Sequence, residues 1–160
     1  MFEVVREEEL KKWDLKEEDI IIPTRKTIDS AGYDFHIPYN YKNIGFTDYL
    51  AGPKQSVLVP TGVKCKFPLS KQSLFLQISL KSGFASKNNV LLKNAPGVVD
   101  MDYYSNPDND GHILLSLYNY GQKDLILEPG KGIAQGIFIA YYTFGEIVGE
   151  QRIGGFGSTK

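Results

Sequence analysis

From about Val57 onward the chain alternates apolar and polar residues with a period of two, broken every few positions by glycine, proline or asparagine. This pattern narrows the possible folds more than any other feature, because period two places successive side chains on opposite faces of an extended backbone. Val63, Cys65 and Phe67 share one face, and Leu74, Leu76 and Ile78 share another. Ile113, Leu115 and Leu117 alternate with Leu114, Ser116 and Tyr118. Ile133 to Tyr142 is almost continuously apolar, as a buried strand would be. Only Glu7 to Lys16 reads as helical, with Leu10 and Trp13 three apart among charges, so a short N-terminal surface helix is expected there. About eight to ten short strands with no alternating helices predict an all-β sandwich, distorted jelly roll or β-barrel. Residues 39–55 and 104–111 are the least strand-like and are read as loops.

The 160 residues suffice for one domain with a real core, taken as 1–151, followed by a glycine-rich segment at 152–160. No apolar run approaches the roughly 20 residues of a membrane helix, and the acidic start Glu7-Glu8-Glu9 is unlike an export signal. No membrane association and a cytoplasmic location are therefore expected. The one cysteine, Cys65, cannot form an internal disulfide and is read as a small core residue. A net charge of −1 excludes a general attraction to nucleic-acid polymer, so any affinity for phosphate must be local.

Five short segments carry such local chemistry. The tail Arg152-Ile153-Gly154-Gly155-Phe156-Gly157-Ser158-Thr159-Lys160 combines a cation, three glycines, an aromatic ring and two hydroxyls, a mixture suited to a nucleotide. Ser30-Ala31-Gly32-Tyr33-Asp34-Phe35 is a tight turn with one carboxylate entering a strand. Lys81-Ser82-Gly83-Phe84-Ala85-Ser86-Lys87 surrounds a glycine with cations and hydroxyls. Asn94-Ala95-Pro96-Gly97-Val98-Val99-Asp100-Met101-Asp102-Tyr103 runs a Pro-Gly bend into two carboxylates spaced i, i+2, which extended backbone would point to one side. Such a pair could hold a metal, act as acid and base, or cap a hairpin, and the residues alone leave the three open. Gly130-Lys131-Gly132-Ile133-Ala134-Gln135-Gly136 lacks the spacing and the following helix of a dinucleotide-binding turn, and no P-loop is present. His36 and His112 stand apart from any metal-ligand spacing and are read as ordinary strand or turn residues.

In this order the five segments resemble the five motifs of the trimeric dUTPase family, from about Pro23 to Lys160. The resemblance implies hydrolysis of dUTP to dUMP and pyrophosphate in a homotrimer, with sites between subunits. It makes Asp100 the residue that activates the attacking water. Tyr103 would pack against the deoxyribose, while Asn94, Gly97 and Val98 would read uracil. Ser82 and Gly83 would bind phosphate together with Lys81, which Asp34 would orient, and Gln135 would sit near the phosphates and the water. Arg152, Phe156, Gly157, Ser158 and Thr159 would close as a flexible lid, with Phe156 over the base. Mg2+ would arrive on the triphosphate and its waters rather than in a cage of side chains.

The chain departs from the family pattern at Lys81, where most members have the bidentate arginine. Its fifth motif is one residue shorter. Ser105 replaces a glycine, and Asn106 to Gly111 reads as an added loop. Two other functions compete with dUTP hydrolysis. A dCTP deaminase-like enzyme of the same fold would need a glutamate near the third motif, where Asp102-Tyr103-Tyr104 stands instead. A dUTP-responsive regulator would bind a protein partner through the 39–55 and 104–111 loops.

Overall fold

The structure is a computed structural model, and it describes residues 1–41, 50–68 and 73–145. The strands are β1 (Phe2–Val4), β2 (Tyr33–His36), β3 (Leu50–Ala51), β4 (Ser56–Pro60), β5 (Val63–Cys65), β6 (Leu74–Leu80), β7 (Val90–Leu92), β8 (Gly97–Val99), β9 (Leu114–Asn119), β10 (Leu125–Ile126) and β11 (Gly132–Ala140). Every pairing among them is antiparallel. A four-stranded sheet has the order β2-β11-β6-β8 and a three-stranded sheet the order β4-β9-β7, with β1-β5 and β10-β3 as two-stranded ribbons. The all-β jelly-roll type expected from the alternation is present, although the described strands are not closed into a barrel.

One core joins the layers. Phe35, Val59, Val63, Leu76, Leu117 and Ile133 are wholly buried in it. On β9 the alternation is as read, with Leu115 and Leu117 inside and Leu114, Ser116 and Tyr118 half-exposed. Cys65 is a core residue whose thiol burial pushes up to about 12, so it is inert at neutral pH. The apolar run of β11 is buried only in its first half. Beyond the sheet it continues into Tyr142 and Phe144, which are 87% and 97% exposed. Gly136 of this strand is a packing glycine, since a Cβ there would come within 2.8 Å of Phe35 and 2.9 Å of Leu76.

The expected N-terminal helix is shorter than its pattern. It spans α1 (Glu7–Lys11), and the chain turns at Asp14, whose φ of 54° is left-handed. Asp tolerates that conformation, and the Leu15 N–H reaches back to the Leu10 carbonyl as helix ends commonly do. A second helix, α2 (Ser82–Asn88), adds to the one foreseen. Its sequence, Ser-Gly-Phe-Ala-Ser-Lys-Asn, is a poor helix former, so propensity gave no signal and the packing of buried Phe84 decides. No helix among the described residues is long and apolar enough to cross a membrane.

Candidate active site

The β7–β8 segment, which passes from the three-stranded to the four-stranded sheet, builds the first half of the site. Its turn carries Asn94 and a cis Ala95–Pro96 bond, and β8 pairs with β6 through Gly97 and Ile78, Val98 and Gln77, and Val99 and Leu76. A cavity of about 90 Å³ opens beside it, lined by Asn94, Gly97, Val98, Tyr103 and the apolar side chains of Ile78 and Leu92, among others. Gly97 must be small, because a Cβ would stand 3.2 Å from Ile78 and 3.3 Å from Leu92 and would fill that space. Tyr103 is 5% exposed, and its hydroxyl donates to the His112 carbonyl at 3.0 Å. The structure thus gathers the four residues assigned to base and sugar, Asn94, Gly97, Val98 and Tyr103.

Asp100 follows β8 directly and is exposed. The chain does not remain extended there. Met101–Tyr103 forms a 3-10 turn with Asp100 as its N-cap residue, and the Tyr103 N–H donates to the Asp100 carbonyl at 3.2 Å. The expectation that Asp100 and Asp102 point to one side of a strand therefore fails, because a helical turn replaces period two.

The second half gathers at the opposite end of β6. Lys81 Nζ donates to Asp34 Oδ2 at 2.7 Å, and Lys26 Nζ lies 3.7 Å from the same oxygen. Asp34 is 5% exposed, so this carboxylate is committed to lysine. Gln135 pairs with Asp34 on one side and Ser79 on the other. Gly32 leaves room for the Gln135 amide, whose oxygen would be 2.7 Å from a Cβ at that position. Ser82 and Gly83 open α2 just beyond Lys81, both exposed, and a Cβ on Gly83 would meet nothing within 4 Å. The pairing of Asp34 with Lys81 is as the sequence suggested, whereas Lys26 was not foreseen, because its contact depends on how the 24–30 turn folds back.

Register separates the two halves. Antiparallel pairing sets Val99, and hence Asp100, against Leu76, while Lys81 follows Leu80. The intervening five residues of extended chain span roughly 16 Å. Arg152, Phe156, Gly157, Ser158 and Thr159 lie outside the described residues, as do 42–49 of the 39–55 loop. Among the described residues no three His, Cys, Asp or Glu side chains gather as a metal-binding set.

Sequence spacing also gave no sign of a buried pair behind Tyr103. His112 is fully buried, its Nδ1 lies 2.9 Å from Glu9 Oε1, and its Nε2 accepts the Gly62 N–H at 2.9 Å. Nε2 as acceptor places the proton on Nδ1, toward Glu9. Burial holds this imidazole below its usual 6.5 against the pull of Glu9. Burial pushes Glu9 up, but the bonds from His112 and Lys12 together hold it below the carboxylate range. Burial, reinforced by Lys26, also lowers His36, whose buried Nδ1 has no partner among the described residues.

A pH dependence follows. Below about 6.5 the unfolded chain protonates both imidazoles while the folded chain resists, so stability is full above that pH and falls as pH drops through it. For the fully buried His112 the expected loss is up to about 1.4 kcal/mol per pH unit while it stays neutral, and the half-buried His36 adds less. Melting temperatures measured from pH 7.5 to 5 should fall steadily below 6.5. A flat profile would contradict the assignment of neutral, buried histidines.

Comparison with known proteins gives a concordant result. The family model described as dUTPase matches residues 18–159. The deoxyuridine 5'-triphosphate nucleotidohydrolase of Lactococcus lactis is 33% identical over 147 residues, covering 90% of this chain and 91% of that protein. The enzyme of the same name from Caulobacter vibrioides is 31% identical over 157 residues, covering 93% and 91%. The crystal structure of dUTPase from Streptococcus mutans superposes with a TM-score of 0.70 at 29% identity, covering 91% of this chain and 98% of that one.

Proposed function

The chain belongs to the dUTPase family, the hydrolases of dUTP, and on that premise we propose that it converts dUTP to dUMP and pyrophosphate by water attack at the α-phosphorus. One observation carries the reading. β8 lines the cavity with Gly97 and Val98 and ends directly at exposed Asp100, so the pocket that would hold the nucleoside and the carboxylate that would serve its phosphate adjoin at one strand end.

In this reading uracil enters between Asn94, Gly97 and Val98, where backbone and amide groups can match a pyrimidine edge and the tight wall leaves no room for thymine's methyl. Tyr103 covers the sugar where a 2'-hydroxyl would need space. The Asp100 carboxylate takes a proton from water as its oxygen bonds to the α-phosphorus. The bond from that phosphorus to the bridging oxygen then breaks, and pyrophosphate leaves. A positioned base of this kind contributes about 10²–10⁴-fold. Lys81, held by Asp34, supplies positive charge to the phosphates with the amides of Ser82 and Gly83, and Gln135 orients the water. Magnesium, carried in on the triphosphate and its waters, neutralises phosphate charge, in keeping with Asp34 being engaged by lysine. The tail from Arg152, with Phe156, Gly157, Ser158 and Thr159, closes over the bound nucleotide and excludes water.

The roughly 16 Å between the halves supports sites shared between copies of the chain, as in a homotrimer. The test of the reading is a nucleotide panel of dUTP, UTP, dTTP and dCTP, with and without magnesium. Pyrophosphate release from dUTP with magnesium, at least about 10²-fold faster than from the others, is expected from shape and hydrogen-bond selection together. Ammonia release from dCTP would overturn the reading in favour of a deaminase. The regulatory alternative predicts instead a protein partner lost on deleting 104–111 while turnover persists.

A further inference from the structure

The Asn106–Gly111 stretch, read from sequence as an added loop, is held by a network of side-chain hydrogen bonds centred on Asn106 and Asn109. Asn106 is 3% exposed; its Oδ1 accepts the N–H groups of Asp108 and Asn109, both at 3.1 Å. Its Nδ2 donates to the Tyr103 carbonyl at 3.1 Å and to Asn109 Oδ1 at 2.8 Å. Asn109 Oδ1 also accepts the Gly111 N–H at 3.1 Å. With its oxygen facing two donors, the Asn109 amide must turn its NH₂ the other way. There Nδ2 donates to the Tyr103 hydroxyl at 2.8 Å. Having accepted that proton, the hydroxyl directs its own to the His112 carbonyl.

The loop is in turn gripped by the chain's beginning. His112 is bonded to Glu9, the Asp110 carboxylate accepts both the Arg6 N–H and Lys64 Nζ at 2.8 Å, and Arg6 Nη2 donates to the Pro107 carbonyl at 3.0 Å. Arg6 and Glu9 precede residue 18, where the family match starts.

We propose that Asn109 is a positioning residue for sugar selection: through its bond to the Tyr103 hydroxyl it fixes the ring as a rigid wall at the sugar, and the Arg6–Glu9 segment braces the loop that holds it. This rests on Tyr103 facing the deoxyribose. A ring free to tilt would admit a 2'-hydroxyl, whereas one held at both ends of its hydrogen-bond chain would not.

The readout is the ratio of kcat/KM for dUTP to that for UTP. Asn109→Leu, which removes the donor, should lower it about tenfold, the worth of one net hydrogen bond. Tyr103→Phe, which also removes the bond to the His112 carbonyl, should lower it at least as far, and the double variant should fall no further than Tyr103→Phe alone, because without the hydroxyl Asn109 has nothing on the ring to hold. Asn109→Asp should lower it as well, since the phenol's single proton cannot serve both the carboxylate and the His112 carbonyl. Asn109→Ser, too short to reach the phenol, repeats the test should the leucine variant fold poorly. Unaltered ratios in Asn109→Leu and Asn109→Ser, or effects that add to that of Tyr103→Phe, would overturn the proposal. A native chain that hydrolyses neither nucleotide overturns the functional reading and this one with it. A native chain that prefers dUTP beside equally selective variants overturns only this one.

Discussion

Asp100→Asn is expected to reduce dUTP turnover about 10²–10⁴-fold, the typical worth of a positioned general base, while leaving the fold intact. Both halves of this expectation have structural support. Asp100 is exposed, and its backbone carbonyl, which accepts the Tyr103 N–H in the 3-10 turn, is unaltered by the substitution. Asparagine is also as good an N-cap residue as aspartate. The amide keeps the shape of the carboxylate and can still hydrogen-bond water, but it cannot take up the proton that attack on phosphorus releases. The loss should therefore appear in kcat, with KM for dUTP changed little. A variant with native kcat would remove Asp100 from the chemistry, and one with a lowered melting temperature would show a structural role instead.

The second large effect concerns where the two halves of the site meet. Asp100 follows β8 beside Leu76, and Lys81 follows the end of β6, roughly 16 Å away along that strand. In a site shared between copies, the two residues that serve one nucleotide come from different chains. Lys81→Met should lower activity about 10²-fold by removing a phosphate-facing charge while keeping the apolar stem. Co-expressed at equal levels with Asp100→Asn, it should restore activity to roughly a quarter of native. Each interface then has about one chance in two of drawing an intact Asp100 from one chain and one in two of drawing an intact Lys81 from its neighbour. Mixed assemblies no more active than the average of the two parents would place both residues in one chain's site. The experiment needs no assumption about the chemical step, because each variant serves as the other's control.

What was legible in the sequence was what is local. The motif from Asn94 to Tyr103 is contiguous, so its glycine, its carboxylate and its tyrosine are delivered to one place by the chain itself, beside a cavity. Asp34 and Lys81 could be paired only through the family resemblance, since 47 residues separate them. Lys26 gave no signal, and neither did the Glu9–His112 bond across 103 residues. The second helix was hidden because Ser82 to Asn88 forms it by packing Phe84 rather than by propensity. The run from Ile133 to Tyr142 read as buried throughout because apolar content records suitability for burial and not whether a neighbouring strand extends far enough to supply it.

The sequence by itself determined the strand faces, the turn glycines and the order of the five motifs, because each depends on period-two backbone geometry or on residues a few positions apart. Only the tertiary structure decided which strands lie side by side, that β8 sets Asp100 well short of the Lys81 end of β6, and that the N-terminal segment clasps the loop behind Tyr103. Register and cross-chain hydrogen bonds arise from packing distant segments on a common core, and no local pattern encodes that choice.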